Sequence, residues 1–354
     1  MMIKIGNKYI GEGQPTFITF EAGPTHDGLG VAKELVKISA EAGADAVKFQ
    51  IFDVDKLVKD KALPYTYKVL LNKETNETEE ITESLYDILK RRCMSESEWV
   101  ELKKYSDSFG LAFFATIADE HDIELVKKIG CQSIKIASAD VNHFPLLRQA
   151  ARTGLSIQLD TGSATFGEIE KAIAVIKSEG NEQIIIHNCP TGYPARLESI
   201  NLKMIPSLKS VFTCPIAYSD HTPGYEMDVA ALAMGVDLLE KTITTDRTIR
   251  SVEHIMSLEP TETVAFIKTI RDVEIAMGRP IRELTEHDEK SRLNFRRSVV
   301  LAEKVQQGKK LSEVKVKFQR PGFGIGPDVY ETLLDMTFNK NLDEGHTLSL
   351  YDLV

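Results

Sequence analysis

Several features of membrane, secreted and nucleic-acid-binding proteins are missing from this sequence. No apolar run reaches the roughly 18 residues that a membrane-spanning helix needs, and the amino terminus has no apolar signal core. The four cysteines have no C-x-x-C spacing, which fits reduced thiols in the cytoplasm. A net charge of −10 argues against nucleic acid or an anionic membrane as a partner. We therefore expect a cytoplasmic globular protein, whose acidic surface does not exclude an anionic small ligand.

The most informative stretch runs from Ile216 to Gly224. An apolar run stops there in four consecutive polar residues, Ser219, Asp220, His221 and Thr222, followed by a proline and a glycine. This pattern is typical of a buried strand whose last residues face a ligand rather than a core.

Apolar runs of this kind alternate with helical patterns along most of the chain. The eight runs occupy residues 17–23, 44–50, 112–117, 133–138, 156–162, 183–189, 214–220 and 236–244. Because the runs are continuously apolar rather than alternating, they predict an all-parallel sheet covered by helices and closed as a (β/α)8 TIM barrel, an α/β fold. An open doubly wound sheet is the alternative, but no glycine-rich dinucleotide loop follows any strand.

The domain organisation follows from changes in amino-acid composition and apolar patterning along the chain. We predict a barrel over 1–280, a charged linker over 281–296 and a small, mostly β domain over 297–354, where short strands alternate with Gly/Pro turns. Residues 51–93 interrupt the barrel with a charged stretch. They predict a surface excursion beside a site.

Polar residues recur at one end of the predicted strands. In a TIM barrel the active site lies at the carboxyl ends of the strands. The residues placed there are Glu21, Lys48, Gln50, Thr116, Lys135, Ser138, Asp160, His187, Asn188, Ser219, Asp220 and His221.

Lys48 and Lys135, taken as the ends of neighbouring strands, would cradle a phosphate or carboxylate together with nearby hydroxyls. Two alternatives remain open: buried ion pairs with barrel carboxylates, and a Schiff-base lysine.

The histidines allow several roles. His221 could be a metal ligand, a general base or a hydrogen-bonding residue, and His26 is treated in the same way. His187 is expected to point sideways or into packing, and Cys189 is a weak candidate for a nucleophile.

Taken together, the motifs resemble the sialic acid (N-acetylneuraminate) synthase family. The matching segments are EAGPTHDG (21–28), AGADAVKFQ (42–50), KIAS (135–138), YSDHTPG (218–224), DRT (246–248), SLEP (257–260) and RPGFGI (320–325). The last segment is similar to the antifreeze-like SAF domain, which the resemblance implies for the carboxyl-terminal domain. The family joins phosphoenolpyruvate to an N-acetylhexosamine-type aldose, giving a nonulosonic sugar acid and phosphate.

The resemblance also implies site roles. The residues implied to bind phosphoenolpyruvate are Lys48, Lys135, Thr116, Ser138 and Ser219. The residues implied to contact the sugar are Gln50, Tyr193 and Arg320, the last reaching the barrel of a partner subunit in a domain-swapped homodimer. Glu21 matches a catalytic carboxylate beside the reacting aldehyde. His221 matches a catalytic residue that is also one of two histidines holding Mn²⁺ or Mg²⁺.

Three positions depart from the family pattern. Thr242 replaces the second metal histidine, Asp160 stands where the family has serine, and Thr191 aligns with an asparagine. A carboxylate near a phosphate is unfavourable unless it binds a metal or pairs with a lysine, so Asp160 is a possible substitute ligand. Two other functions stay open: a pyruvate-dependent Schiff-base aldolase or lyase, and a non-catalytic sugar-acid or phosphate-binding relative.

Overall fold

The computed structural model describes residues 1–354. Its strands, in chain order, are β1 (Ile3–Ile5), β2 (Lys8–Ile10), β3 (Phe17–Glu21), β4 (Ala46–Ile51), β5 (Pro64–Asn72), β6 (Glu77–Ser84), β7 (Ala112–Ile117), β8 (Ser133–Ile136), β9 (Ser156–Asp160), β10 (Ile184–Asn188), β11 (Ile216–Asp220), β12 (Leu238–Thr242), β13 (Ser298–Leu301) and β14 (Val316–Gln319).

The α-helices cover the barrel and punctuate its loops. They are α1 (Leu29–Ala42), α2 (Val54–Leu57), α3 (Leu85–Lys90), α4 (Glu96–Ser108), α5 (Glu120–Ile129), α6 (Phe144–Arg152), α7 (Phe166–Ser178), α8 (Leu197–Ile200), α9 (Met204–Val211), α10 (Glu226–Ala233), α11 (Pro260–Met277), α12 (Glu286–Phe295) and α13 (Pro327–Tyr330). The Ser95–Glu98 capping box starts α4, because Ser95 Oγ accepts from Glu98 N–H and the Glu98 carboxylate accepts from Ser95 N–H.

The predicted (β/α)8 barrel is confirmed. Eight parallel strands close in the order β3, β4, β7, β8, β9, β10, β11, β12, and β12 pairs again with β3. In that closing pair Thr242 stands opposite Glu21. The carboxyl ends of all eight strands therefore meet at one rim.

The barrel interior changes character along its axis. Near the amino ends of the strands, Phe17, Phe114 and Leu238 pack against Ile3 and Ile5 of the β1–β2 hairpin, which covers that end. Each such side chain stabilises the fold by about 1.5–3 kcal/mol through burial. Nearer the carboxyl ends the buried residues are polar, so the site lies over an apolar floor.

The predicted surface excursion over residues 51–93 contains a β-hairpin over 64–84, flanked by the short helices α2 and α3. β5 and β6 pair antiparallel, and Tyr67, Val69 and Ile81 pack with Ile88 and Val252 into a small cluster of their own. Glu77, Glu79 and Glu80 on β6 are exposed. Because charged residues are so frequent here, the apolar residues typical of a strand do not stand out in the sequence.

The chain divides into two compact units, Met1–Gly278 and Arg279–Val354. Residues 281–296, predicted as a linker, belong to the second unit and contain α12. That unit has the antiparallel pair β13–β14 and a small core that includes Val299, Leu311 and Phe338.

None of the helices combines the length and the apolar character needed to cross a membrane.

Candidate active site

A buried cluster of two lysines and three carboxylates lies at the carboxyl rim of the barrel. Lys135 Nζ lies 2.6 Å from Glu240 Oε1 and 3.1 Å from Asp160 Oδ1. Lys48 Nζ lies 3.0 Å from the same Glu240 oxygen and forms an ion pair with Glu21. Glu240 thus bridges both lysines. Of the interpretations left open for the lysines, buried ion pairs with barrel carboxylates describe this structure.

The two lysines do not lie on neighbouring strands, as the sequence analysis assumed. β7 separates β4 from β8, and Thr116 on β7 pairs in register with Gln50 on one side and Lys135 on the other. Lys48 Nζ lies 3.2 Å from Thr116 Oγ1. The lysines meet across the barrel interior, through the carboxylate of Glu240.

The cluster has an excess of acid, because three carboxylates face two ammonium groups. Burial raises the pKa of Glu21, and the attraction of Lys48 only partly offsets this. Burial also works against ionised Glu240, but Lys135 and Lys48 together hold its pKa well below its usual range. Of these two glutamates, Glu21 therefore takes a proton more readily.

A hydrogen-bonded chain supports the lysines from below. His187 Nε2 donates to Gln158 Oε1 at 3.0 Å, which leaves Nδ1 as acceptor for the Ser219 hydroxyl at 2.9 Å. Ser219 Oγ in turn accepts from Lys135 Nζ at 3.1 Å. Burial and the charge of Lys135 lower the pKa of His187 to about 3, so the ring is neutral. His187 is fully buried and does not line the cavity, in agreement with the expectation that it points into packing. It packs inside the barrel, because inner and outer positions alternate along β10 and His187 falls on the inner side.

A cavity of about 200 Å³ opens above this cluster. His221 lies at its wall, where Nδ1 donates to the Pro190 carbonyl at 3.0 Å and the ring packs against Tyr193, with centroids 4.7 Å apart. Burial and Lys135 lower the pKa of His221 to about 4. A neutral imidazole with Nε2 as a free acceptor therefore faces the cavity.

The predicted site residues divide into three groups. Those that line the cavity are Glu21, Lys48, Gln50, Ser138, Asp160, Tyr193 and His221. Lys135, Ser219 and Thr116 contact residues of that cluster from beneath or beside it. Arg320 belongs to the second unit, is exposed, and lies over the Phe295 ring.

Asp220 and Asn188 do not reach the cavity, contrary to the sequence analysis. Asp220 is paired with Lys241, and it accepts hydrogen bonds from Tyr218 and Thr222. Asn188 donates to the Ile200 carbonyl at 3.4 Å. Both residues follow an inward residue on their strand and so face the surrounding helices.

Sequence reasoning missed two acidic residues of the cavity wall. Glu240 lies between inward Leu238 and Thr242 on β12, so the period-two pattern was the signal that would have found it. Glu253 has a positive φ of 79°, and nothing in the local sequence marks it. Burial raises the pKa of Glu253 to about 7, although Arg92 opposes the shift.

We expect Glu253→Gln to remove a pH-dependent destabilisation. The folded-state pKa is about 7 against an ordinary 4.5, so folding loses stability as pH rises between those values, by about 3 kcal/mol in total. Thermal unfolding should therefore show the variant and wild type alike near pH 4.5 and the variant more stable above about pH 7. Equal melting temperatures across this range would contradict the prediction.

The residues present do not make a good metal site. Thr242 stands opposite Glu21 on β3, and its hydroxyl replaces the expected imidazole. The residue before it, Lys241, pairs in register with Asp220, the residue before His221. No group of three or more His, Cys, Asp or Glu side chains is arranged to hold a metal ion. Asp160, the suggested substitute, pairs with Lys135.

A closed (β/α)8 barrel with ionisable side chains converging at its carboxyl rim defines the class of barrel enzymes. The sequence pattern of the NeuB family matches residues 35–282, and the chain belongs to this family.

The N,N'-diacetyllegionaminic acid synthase of Legionella pneumophila is 32% identical over 97% of this chain and 96% of its own length. The human N-acetylneuraminate-9-phosphate synthase is 31% identical over 85% of this chain and 82% of its own length. A crystal structure of N-acetylneuraminic acid synthetase from Leptospira borgpetersenii has a TM-score of 0.71 and 30% identity, and covers 82% of this chain and 95% of its own. The resemblance to sialic acid synthases is confirmed.

Proposed function

We propose that this protein condenses phosphoenolpyruvate with an N-acetylhexosamine-type aldose, giving a nonulosonic acid and phosphate. The observation that carries the proposal is the Lys48–Glu240–Lys135 cluster beneath a cavity lined by Glu21 and His221. Relatives named for legionaminic, pseudaminic and neuraminic acid products support the sugar-acid class and leave the particular aldose open.

Phosphoenolpyruvate would occupy the lysine side of the cavity. Its phosphate would compete with Glu21 and Glu240 for the lysine ammonium groups, and Ser138, Thr116 and Ser219 would supply hydroxyls. Displaced carboxylates that are buried tend to take up protons. Binding should therefore be accompanied by proton uptake, with Glu21 as the first acceptor.

The reaction follows from this placement. C3 of phosphoenolpyruvate attacks the aldehyde carbon, and protonated Glu21 gives its proton to the aldehyde oxygen, which becomes a hydroxyl. Water adds at C2 of the resulting cation and gives a proton to the Glu21 carboxylate. The tetrahedral intermediate then expels inorganic phosphate, which takes the proton of the C2 hydroxyl as the ketone forms. The lysine charges stabilise the departing phosphate.

On the sugar side, Gln50 and Tyr193 line the same cavity. We propose that the second unit is an SAF domain and that its Arg320 contacts the N-acyl group in the barrel of a partner subunit. The exposure of Arg320 supports this, since its side chain is accessible to another chain. The assembly would be a domain-swapped homodimer.

An aldolase mechanism through a Schiff base on Lys48 is less well supported than condensation with phosphoenolpyruvate. Burial lowers the pKa of Lys48, but Glu21 and Glu240 raise it by more, so its ammonium group is held charged. A nucleophilic lysine must be neutral.

Mn²⁺ or Mg²⁺ remains a proposed cofactor, with His221 as its one imidazole and Asp160 as a candidate oxygen ligand. Because the fit is poor, we expect Thr242→His to strengthen metal binding. Loss of a residue that hydrogen-bonds to a metal-ligating side chain typically lowers metal affinity about 10–100-fold. Adding a ligating side chain should therefore raise the affinity at least about tenfold. Mn²⁺ titration of both proteins measures this. Equal affinities would show that residue 242 does not face a metal position.

The function is tested by following phosphate release from phosphoenolpyruvate with a panel of N-acetylated and diacetamido hexoses, with and without Mn²⁺. Release that requires both phosphoenolpyruvate and one of the sugars is the expected result. Phosphate release without a sugar would contradict the condensing function. No release while phosphoenolpyruvate still binds would also contradict it, and would favour a non-catalytic relative. Borohydride trapping with pyruvate tests the aldolase alternative, and we expect no adduct.

A further inference from the structure

A buried polar network lies on the outer side of the barrel wall next to His221, and none of its side chains lines the catalytic cavity. Its centre is the ion pair of Asp220 on β11 with Lys241 on β12, which stand opposite each other in register and are each 1% exposed. Two buried charges are costly to desolvate, and apolar side chains of similar size often stabilise a fold as well or better. Stability alone is therefore a weak reason for this pair.

His221 is the middle residue of a turn that the Asp220 carboxylate holds closed. Asp220 Oδ1 accepts from Thr222 N–H at 3.2 Å and from Thr222 Oγ1 at 2.9 Å, which is the arrangement of an Asx turn. The His221 carbonyl accepts from Ala195 N–H at 2.8 Å. The backbone on both sides of the imidazole is therefore fixed.

Lys241 ties this turn to the neighbouring strand. Its Nζ pairs with Asp220 Oδ2 and donates to the Thr222 carbonyl at 2.6 Å. One ammonium group thus binds the residue before His221 and the residue after it. Lys241 Nζ also lies 3.7 Å from the Asp228 carboxyl on α10, whose pKa is raised well above its ordinary value by burial and by Asp220. Asp228 is therefore neutral, and the charges of Lys241 and Asp220 balance each other.

We propose that Lys241 is a positioning residue, which aims the His221 imidazole into the catalytic cavity from outside the barrel. The imidazole makes one hydrogen bond within the protein, from Nδ1 to the Pro190 carbonyl at 3.0 Å, and this bond decides which nitrogen faces the cavity. A shift of the turn would break it. A displacement of about 1 Å at an active site can cost about 10²-fold in rate, so a turn held on both sides matters for activity. The kinetic part of the proposal rests on the condensing function above.

The test uses two variants and one matched control. The paired variant combines Lys241→Met with Asp220→Asn, which removes one cation and one anion together and leaves an amide oxygen to accept from Thr222 N–H. Thr222→Val is a smaller change that removes only the hydroxyl bond to Asp220. Tyr218→Phe is its control, because the Tyr218 hydroxyl donates to the same Asp220 oxygen at 2.8 Å but belongs to the strand before His221.

We expect the paired variant to lower kcat/KM for condensation by roughly 10–100-fold. Thr222→Val should lower it less, and Tyr218→Phe should leave it close to wild type. The decisive measurement repeats the paired variant in a His221→Ala background. If Lys241 acts through His221, its replacement has no further effect there, because the group that it positions is gone. Losses that multiply would show that Lys241 acts through another residue, such as Glu240 beside it on β12, and would overturn the inference.

A second readout does not depend on turnover. Nitrogen NMR of the full chain, at neutral pH and with a chelator present, reports which ring nitrogen of His221 carries the proton, and His221→Ala assigns the signal by its disappearance. Wild type and Tyr218→Phe should carry the proton on Nδ1. The paired variant and Thr222→Val should show a mixture with the form protonated on Nε2. The wild-type tautomer in both variants would overturn the inference, even if their activity fell.

The inference and the condensing function can fail separately. Absence of phosphate release with any sugar in wild type would overturn the function, and the tautomer of His221 would still decide whether Lys241 positions the ring. Thermal unfolding monitors the fold of every variant. The paired variant should melt close to wild type, since it leaves no unpaired buried charge. Should it fail to fold, Thr222→Val against Tyr218→Phe carries the test, and equal tautomers and equal activities in those two would overturn the inference.

Discussion

Lys135→Met should lower kcat/KM for phosphoenolpyruvate-dependent condensation by roughly 10²–10³-fold. The variant removes one of two ammonium groups available to the phosphate, and it also releases Glu240 and Asp160 from their ion pairs. Breaking a buried pair from one side typically costs about 3–5 kcal/mol of stability. Both effects are expected, so activity and unfolding free energy must be measured on the same samples.

A double variant separates catalysis from folding. In Lys135→Met with Glu240→Gln, the cluster regains the charge balance of wild type, since one cation and one anion are removed together. Asp160 reaches the cavity, where water can solvate it. We expect most of the stability to return while activity stays low.

Lys103→Met is the matched control for the lysine variants. Lys103 is buried like Lys135, but it pairs with Asp107 along α4, outside the barrel. Its replacement should leave kcat/KM within a few-fold of wild type. If Lys135→Met itself kept kcat/KM within tenfold of wild type, the proposed phosphate role of Lys135 would be wrong.

The barrel could be predicted from the sequence because its signal is local. Each strand is an apolar run, and each run ends in polar residues such as Lys48 or His221. The hairpin β5–β6 was missed because charged residues on its exposed face mask its apolar face. Asp220 was misplaced because polarity at the end of a strand was weighed without the alternation that turns Asp220 outward, towards Lys241.

The cluster could not be predicted from the sequence because its contacts are distant in the chain. Lys135 and Glu240 are separated by 105 positions and meet only after the barrel closes. Arg92 lies in a segment that matched no motif. The lack of a hydrogen-bond partner at its Nη2 is defined only by the three-dimensional surroundings.

Glu21→Gln should lower kcat by roughly 10²–10⁴-fold if Glu21 is the proton donor to the aldehyde oxygen. The neutral amide keeps the shape of the side chain and still accepts from Gly23 N–H, as Glu21 does at 2.6 Å. It cannot transfer a proton. Because burial raises the pKa of Glu21, its ionised form costs stability, so the variant should melt no lower than wild type at neutral pH.

The pH profile gives the sharper test of Glu21. A general acid works while protonated, so wild-type kcat/KM should fall as pH rises through the raised pKa of Glu21. In Glu21→Gln that limb should disappear and the residual rate should be flat.

Glu274→Gln is the control for Glu21→Gln. Glu274 accepts from Thr16 N–H at 2.6 Å, at the opposite end of the strand that carries Glu21, and its replacement should leave the profile unchanged. A Glu21→Gln enzyme that kept the wild-type limb would assign the titration to another group. Glu253 is then the next candidate, because it lines the same cavity and has a pKa of about 7.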